Sequence, residues 1–140
     1  MEIKFTVPGN PMGKQRPRMC RIRGKTITYT PKQTTEYEKL VRASYTAVSK
    51  IFFEKDIPLI ISITALFSIP KSVSKKLKNS MLKGDILPTK KPDSDNIIKI
   101  ILDALNGVCY HDDAQICSIH FKKKYAEIPA TKIIIKEIEL

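Results

Sequence analysis

An α+β fold, a single domain whose mixed β-sheet is packed with helices, is predicted by three features of the sequence. A short alternating apolar run opens the chain, helical periodicities flank a β-branched middle, and two strand-like runs close it, giving the order ββαβα(α)ββ. The length of 140 residues suits one compact domain over 1–140 and is too short for two. A hydrophobic fraction of 42% is enough for a core and excludes a wholly disordered chain.

Residues 2–7 place Ile3, Phe5 and Val7 on one side, the pattern of a half-buried strand, and Pro8-Gly9-Asn10-Pro11 ends it. From 14 to 25 the chain carries Lys14, Arg16, Arg18, Arg21, Arg23 and Lys25 with no acid, which reads as a basic loop or ribbon, and 26–30 extends again. Thr30-Pro31 makes an N-cap and first-turn pair, after which Tyr37, Leu40, Val41, Tyr45 and Val48 recur at helical spacing to about residue 50. Residues 57–67 are apolar and β-branched enough for a central strand. A short basic helix is expected over 73–82, bearing Lys75, Lys76 and Lys78 with Lys83 just beyond; 85–92 is a loop, and 95–106 is a helix stopped by Gly107. Residues 115–125 and 131–138 close the sheet around Pro129.

Charge narrows the function. Twenty-five Lys and Arg against 14 Asp and Glu leave +11, and the pI is about 9.6, so a polyanionic partner is expected, nucleic acid before an anionic membrane. The segment 14–25, with Lys122, Lys123 and Lys124, is suited to gripping phosphates. A membrane role is disfavoured, because the basic segment lacks an apolar face and the longest apolar run, 57–69, is broken by Pro58, Ser62, Thr64 and Ser68. The first residues read as a strand and not as a signal peptide, so a cytoplasmic location is expected. Cys20, Cys109 and Cys117, odd in number and irregular in spacing, fit reduced thiols.

In a chain short of acids, five aspartates crowd between 91 and 113: Asp93, Asp95, Asp103, Asp112 and Asp113. Pro92 keeps the entry extended, where i and i+2 share a face, so Asp93 and Asp95 are expected side by side. The helix that follows leaves Asn96, Lys99, Asp103 and Asn106 as a polar stripe, with Lys99 one turn beyond Asp95. Past Gly107 a short turn delivers Asp112 and Asp113 to the mouth of the next strand. Converging carboxylates repel unless a cation sits among them, and hard oxygen donors with open positions suit Mg²⁺ or Mn²⁺ acting on a phosphodiester. Each piece also has a plain structural explanation: Asp95 as an N-cap, Asp95–Lys99 and Lys99–Asp103 as i,i+4 pairs, Asp112-Asp113 as a turn. Cys109 and His111 with Cys117 and His120 are zinc-ligand types, but their spacing fits no common zinc module.

The string Lys91-Pro92-Asp93-Ser94-Asp95-Asn96-Ile97-Ile98-Lys99, then Asp103-Ala104-Leu105, then Asp112-Asp113-Ala114-Gln115-Ile116, resembles the signature of the RusA family, phage-derived endodeoxyribonucleases that resolve Holliday junctions. The likeness is close from 91 to 116 and looser elsewhere, where the opening strand, the Pro/Gly turn and Lys14-Gln15-Arg16-Pro17-Arg18 look like relatives from Gram-positive phages and prophages. The resemblance implies a RusA-like fold and a Mg²⁺-dependent homodimer, with Mn²⁺ able to substitute. Such an enzyme places paired symmetric nicks in branched DNA, a four-way junction, during recombination and repair in the bacterial cytoplasm. Asp93 and Asp95 match the first two catalytic acids, Asp113 the third and Lys99 the active-site lysine; Asp93, Asp95, Asp113 and Asp112 are the implied metal ligands, and Asp103 matches an acidic position. The turn Val108-Cys109-Tyr110-His111 is one residue shorter than in some relatives, which brings Asp112 as well as Asp113 into question as the metal-shell acid. The basic segment's Lys14, Arg16, Arg18, Arg21 and Arg23 are the DNA-binding candidates. Two other functions fit the residues alone: a non-catalytic basic nucleic-acid-binding protein, and a metal-dependent nuclease acting on other branched substrates.

Overall fold

In the computed structural model, which describes residues 1–139, the opening alternation is strand β1 (Glu2–Pro8), with Ile3, Phe5 and Val7 buried and their neighbours exposed. The basic ribbon is a hairpin of β2 (Arg18–Ile22) and β3 (Lys25–Tyr29). Its two-residue loop, Arg23-Gly24, has φ of 51° and 75°, the doubly left-handed geometry of a type I′ turn that glycine accepts without strain. Helix α1 (Lys32–Thr46) follows, then β4 (Leu59–Ser68), α2 (Lys75–Lys83), α3 (Ser94–Leu105), a single 3₁₀ turn (Asp113–Gln115), β5 (Ile116–Ala126) and β6 (Ala130–Glu137).

Four strands form one mixed sheet in the order β1-β6-β4-β5, and the hairpin forms a second, separate sheet. β6 is antiparallel to both β1 and β4, while β5 lies parallel to β4 and is joined to it through α2 and α3. One face of β4 carries Leu59, Ile61, Ile63, Ala65 and Phe67, all buried. Against that face of the sheet pack Tyr37, Val41 and Tyr45 of α1 and Ile100, Ile101 and Leu105 of α3. Each such side chain contributes about 1.5–3 kcal/mol by leaving water, so the rotation of α3 is firmly set and its polar stripe is aimed by the core. The other face of the sheet carries exposed lysines, among them Lys4, Lys122, Lys124, Lys132 and Lys136.

Boundaries differ from the sequence expectation where capping decides them. Helix α2 starts at Lys75 and not at 73, because the Ser74 hydroxyl accepts from Leu77 N at 3.2 Å; Gly84, at φ 86°, ends it. Pro31 is the N-cap of α1, one position later than expected. That helix stops at Thr46, where Val48 N and Ser49 N both turn back to Tyr45 O. Among the described residues no helix is long and apolar enough to cross a membrane.

Candidate active site

Helix α3 starts one residue earlier than its sequence pattern suggests. Asp93, extended at φ −66° and ψ 149°, is the N-cap residue: its carbonyl accepts from Ile97 N at 3.1 Å, while its carboxylate makes no capping bond. Asp95 therefore sits in the first helical turn, and its Oδ1 accepts from Asn96 N at 3.0 Å. The extended backbone expected through Asp95 ends at Asp93, so Asp93 and Asp95 are carried by a helix start and not by one face of a strand. The positive end of the helix dipole favours both carboxylates where they are.

The N-terminal segment is strapped across this helix end. Lys14 N donates to Asn96 O at 2.9 Å, and a Cβ on Gly13 would lie 3.0 Å from both the Asn96 and Pro92 Cβ atoms, so glycine is required for the close approach. Lys14 then turns inward. Its Nζ is 3.1 Å from Glu38 Oε2 and 3.4 Å from Asp103 Oδ2, and Lys99 Nζ is 3.5 Å from that same Asp103 oxygen. The result is an alternating chain Glu38–Lys14–Asp103–Lys99. Lys14, grouped by sequence with the phosphate-gripping cations, has its charge engaged by carboxylates. Glu38 is not among the residues the sequence points to; its only signal is an acid beside Tyr37 and Val41 at the edge of α1's apolar face.

The turn after α3 is anchored from several sides. Gly107 takes φ 77° and donates to Tyr110 O at 2.8 Å. Tyr110 is fully buried and its hydroxyl donates to Leu102 O at 2.7 Å, while Phe53 N donates to Cys109 O at 2.8 Å. These ties deliver Asp112 and Asp113 beside the C-terminal half of α3. The Asp113 carboxyl is held above the ordinary carboxylate range, first by partial burial, then by its hydrogen bond to Asp112 and by the charges of Asp112 and Asp103, with Lys99 acting in the opposite direction.

The structure thus brings together Asp103, Asp112, Asp113 and Lys99. Asp93 and Asp95 lie at the other end of the same helix, with Asp95 eight residues, about 12 Å along the axis, from Asp103. Among the described residues no three His, Cys, Asp or Glu side chains stand close enough to enclose a metal ion. Mg²⁺ needs no such cage, since it is commonly held by one or two carboxylates with water and phosphate oxygens completing its shell. The Asp112–Asp113 pair, two adjacent carboxylates offering only hard oxygen donors, fits that donor chemistry. The soft ligand types are dispersed: Cys109 is buried with its thiol pushed up to about 11 by desolvation, Cys117 is exposed, and the exposed His111 ring packs on Phe52 with centroids 4.4 Å apart.

Arg16, Arg18, Arg21 and Arg23 are exposed on the loop and hairpin. Strand alternation divides the lysine triplet, with Lys122 and Lys124 on the open face. Lys123, on the helix side, donates to Lys90 O at 2.7 Å and stands 5.3 Å from the Phe67 ring centre.

Compared with known proteins, residues 8–136 match the family model of endodeoxyribonuclease RusA, a span that includes every acid and lysine of the site. The chain belongs to the RusA family. It is 36% identical to the Bacillus subtilis protein YqaN, over 97% of this chain and 96% of that one. It is 28% identical to a Lactococcus phage r1t protein named crossover junction endodeoxyribonuclease rusA, over 98% of each. As a RusA-family member the protein is an endodeoxyribonuclease, a hydrolase of phosphodiester bonds, and its α+β fold with a mixed sheet is the RusA-like fold expected from the sequence.

Proposed function

We propose that this RusA-family protein resolves Holliday junctions by paired symmetric nicks, using a divalent cation, Mg²⁺ or Mn²⁺, during phage or prophage DNA recombination and repair in the bacterial cytoplasm. The observation that carries this is the placing of the Asp112–Asp113 turn beside α3, whose Lys99 pairs with Asp103 at 3.5 Å, an acid cluster in a chain of net charge +11. Asp113 and Asp112 would hold the ion at one end of α3, and Asp93 and Asp95 are the acids at the other end of the same polar stripe. A bound ion supplies polarisation of a phosphoryl oxygen and a more acidic water. Lys99, exposed between the two acid groups and only loosely paired at 3.5 Å, is free to swing from Asp103 to a phosphate oxygen and stabilise its developing charge.

Arg16, Arg18, Arg21 and Arg23 supply phosphate contacts that orient the branch, whereas Lys14 organises the acid cluster through Glu38 and Asp103. One domain over 1–140 has a radius of gyration of about 14 Å, small beside a junction of full duplex arms. A two-fold homodimer would set two such sites on strands of like polarity, which is what paired cutting needs. The test is a substrate panel of four-way junction, fork, flap and linear duplex, with Asp95→Asn beside the wild type. Cleavage confined to the junction, lost in the variant while junction binding persists, supports the proposal. Equal cleavage of forks and flaps points to a broader branched-DNA nuclease, and binding without cleavage to a non-catalytic role.

A further inference from the structure

Gln115 is uncharged and buried, yet every hydrogen-bonding valence of its side chain is used. Its Oε1 accepts from His111 N at 2.9 Å and from Asp112 N at 3.3 Å; its Nε2 donates to Glu54 O at 2.9 Å and to Ile57 O at 3.1 Å. A carboxamide has two donors and two lone pairs, so the group is saturated. Glu54 and Ile57 belong to the connection between α1 and β4, while His111 and Asp112 belong to the turn that carries the acid pair. The side chain joins these two segments directly.

The other ties from this turn to the rest of the fold act upstream of the carboxylates, at Cys109 and Tyr110, and at Asp112 the local backbone adds only the 3.0 Å bond from Gln115 N to Asp112 O within the 3₁₀ turn. Gln115 acts at Asp112 itself and on the residue before it. Asp112 and Asp113 are adjacent acids on one short turn, and like charges that close favour a turn that opens to separate them unless it is held. Other residues cannot make the same set of bonds. Glutamate offers no donors to the Glu54 and Ile57 carbonyls, methionine makes no comparable bond, and asparagine is one methylene too short to span both segments.

We infer that Gln115 is a positioning residue, clamping the Asp112–Asp113 pair against its own repulsion and thereby setting the affinity of the site for a divalent cation, with the 54–57 connection as its outer support. The inference rests on the reading of that pair as the cation site. Groups that orient metal ligands from behind typically change metal affinity or activity by 10- to 100-fold when removed.

The test titrates Mn²⁺ into the full-length protein, reading free ion by electron paramagnetic resonance, for wild type, Gln115→Met, Gln115→Asn and Thr131→Val. Thr131 shares a buried hydrogen bond of 3.2 Å with Tyr37, away from the acid pair, and controls for lost stability without a link to the turn. Melting temperatures and the Mg²⁺ midpoint for junction cleavage are measured on the same samples. Expected is a 10- to 100-fold weaker Mn²⁺ affinity in both Gln115 variants, a Mg²⁺ midpoint moved upward in step, recovery of cleavage at high Mg²⁺, and wild-type affinity in Thr131→Val. Should Gln115→Met fail to fold, Gln115→Asn carries the comparison. A folded Gln115 variant that binds Mn²⁺ like the wild type, or a Thr131→Val that weakens binding equally, overturns the inference. A wild-type protein that binds no Mn²⁺ instead overturns the cation-site reading beneath it, and the inference with it.

Discussion

Asp113→Asn removes one of two adjacent carboxylates on the turn that follows α3. The Asp113 carboxyl is raised in the folded protein, so the fold binds that proton more tightly than the unfolded chain does. Stability therefore declines as pH rises from the ordinary carboxylate range through the raised value, and the deficit is fully present above it. Two unit charges about 4 Å apart repel by ~1 kcal/mol in water and ~4 kcal/mol at an effective dielectric of ~20. Asp113 is partly exposed and Lys99 opposes the repulsion, so solvent screening leaves about 1 kcal/mol. With about 2.1 cal/mol/K of unfolding entropy per residue over 140 residues, that corresponds to about 3 °C. Scanning calorimetry without divalent cation is expected to show the variant melting about 3 °C above wild type at neutral pH. The gap closes as the carboxylates protonate. Millimolar Mg²⁺ raises the wild-type melting temperature by mass action and leaves the variant nearly unmoved, while junction cleavage by the variant is lost. A variant that melts below wild type at neutral pH, with Mg²⁺ shifting both proteins equally, would refute the reasoning.

Lys14→Met breaks two half-buried ion pairs and is expected to cost about 1–2 kcal/mol in urea unfolding, between exposed and buried pairs. Its salt dependence of junction binding should match wild type. Replacing Arg16, Arg18, Arg21 and Arg23 together by alanine should instead flatten the slope of log affinity against log salt by as much as about 3.6, or about 0.9 for each phosphate no longer neutralised; an unchanged slope places the DNA elsewhere. Gly13→Ala pushes a methyl to within 3.0 Å of Asn96 and Pro92 and should destabilise by about 1–3 kcal/mol on thermal melting. Alkylation followed by mass spectrometry should label exposed Cys117 first and Cys109, buried and with its thiol pushed up to about 11, only on unfolding; early labelling of Cys109 would contradict this packing.

Much of this architecture is legible in the residues because burial follows period. The alternation of Ile3, Phe5 and Val7 and the apolar run from Leu59 each produce a strand within two residues of the expected limits. The polar stripe of α3 is equally readable, because Ile97, Ile100, Ile101 and Leu105 leave only one orientation for Lys99 and Asp103. The pairing of sheet strands is not local, and nothing in β5 itself says that it lies parallel to β4 while β6 comes between β4 and β1. The placement of Asp95 departs from expectation for a physical reason: the extended bias that Pro92 imposes acts on Lys91 and does not reach past Asp93. The ion pairs of Lys14 are hidden in the sequence because the acids that engage it, Glu38 and Asp103, are distant along the chain, while its near neighbours Arg16 and Arg18 suggest phosphate contact. Gln115 stands within the family motif with no role evident from its type, and only its four partners across two segments reveal one.

The most direct measurement is a denaturing-gel assay on a four-way junction with each strand separately labelled, run in Mg²⁺, Mn²⁺ and EDTA. Metal-dependent nicks placed symmetrically on two opposing strands, absent from linear duplex and from Asp95→Asn, are the predicted result. Tight junction binding with every strand intact in every metal would contradict the account and reduce the aspartates to caps and ion pairs.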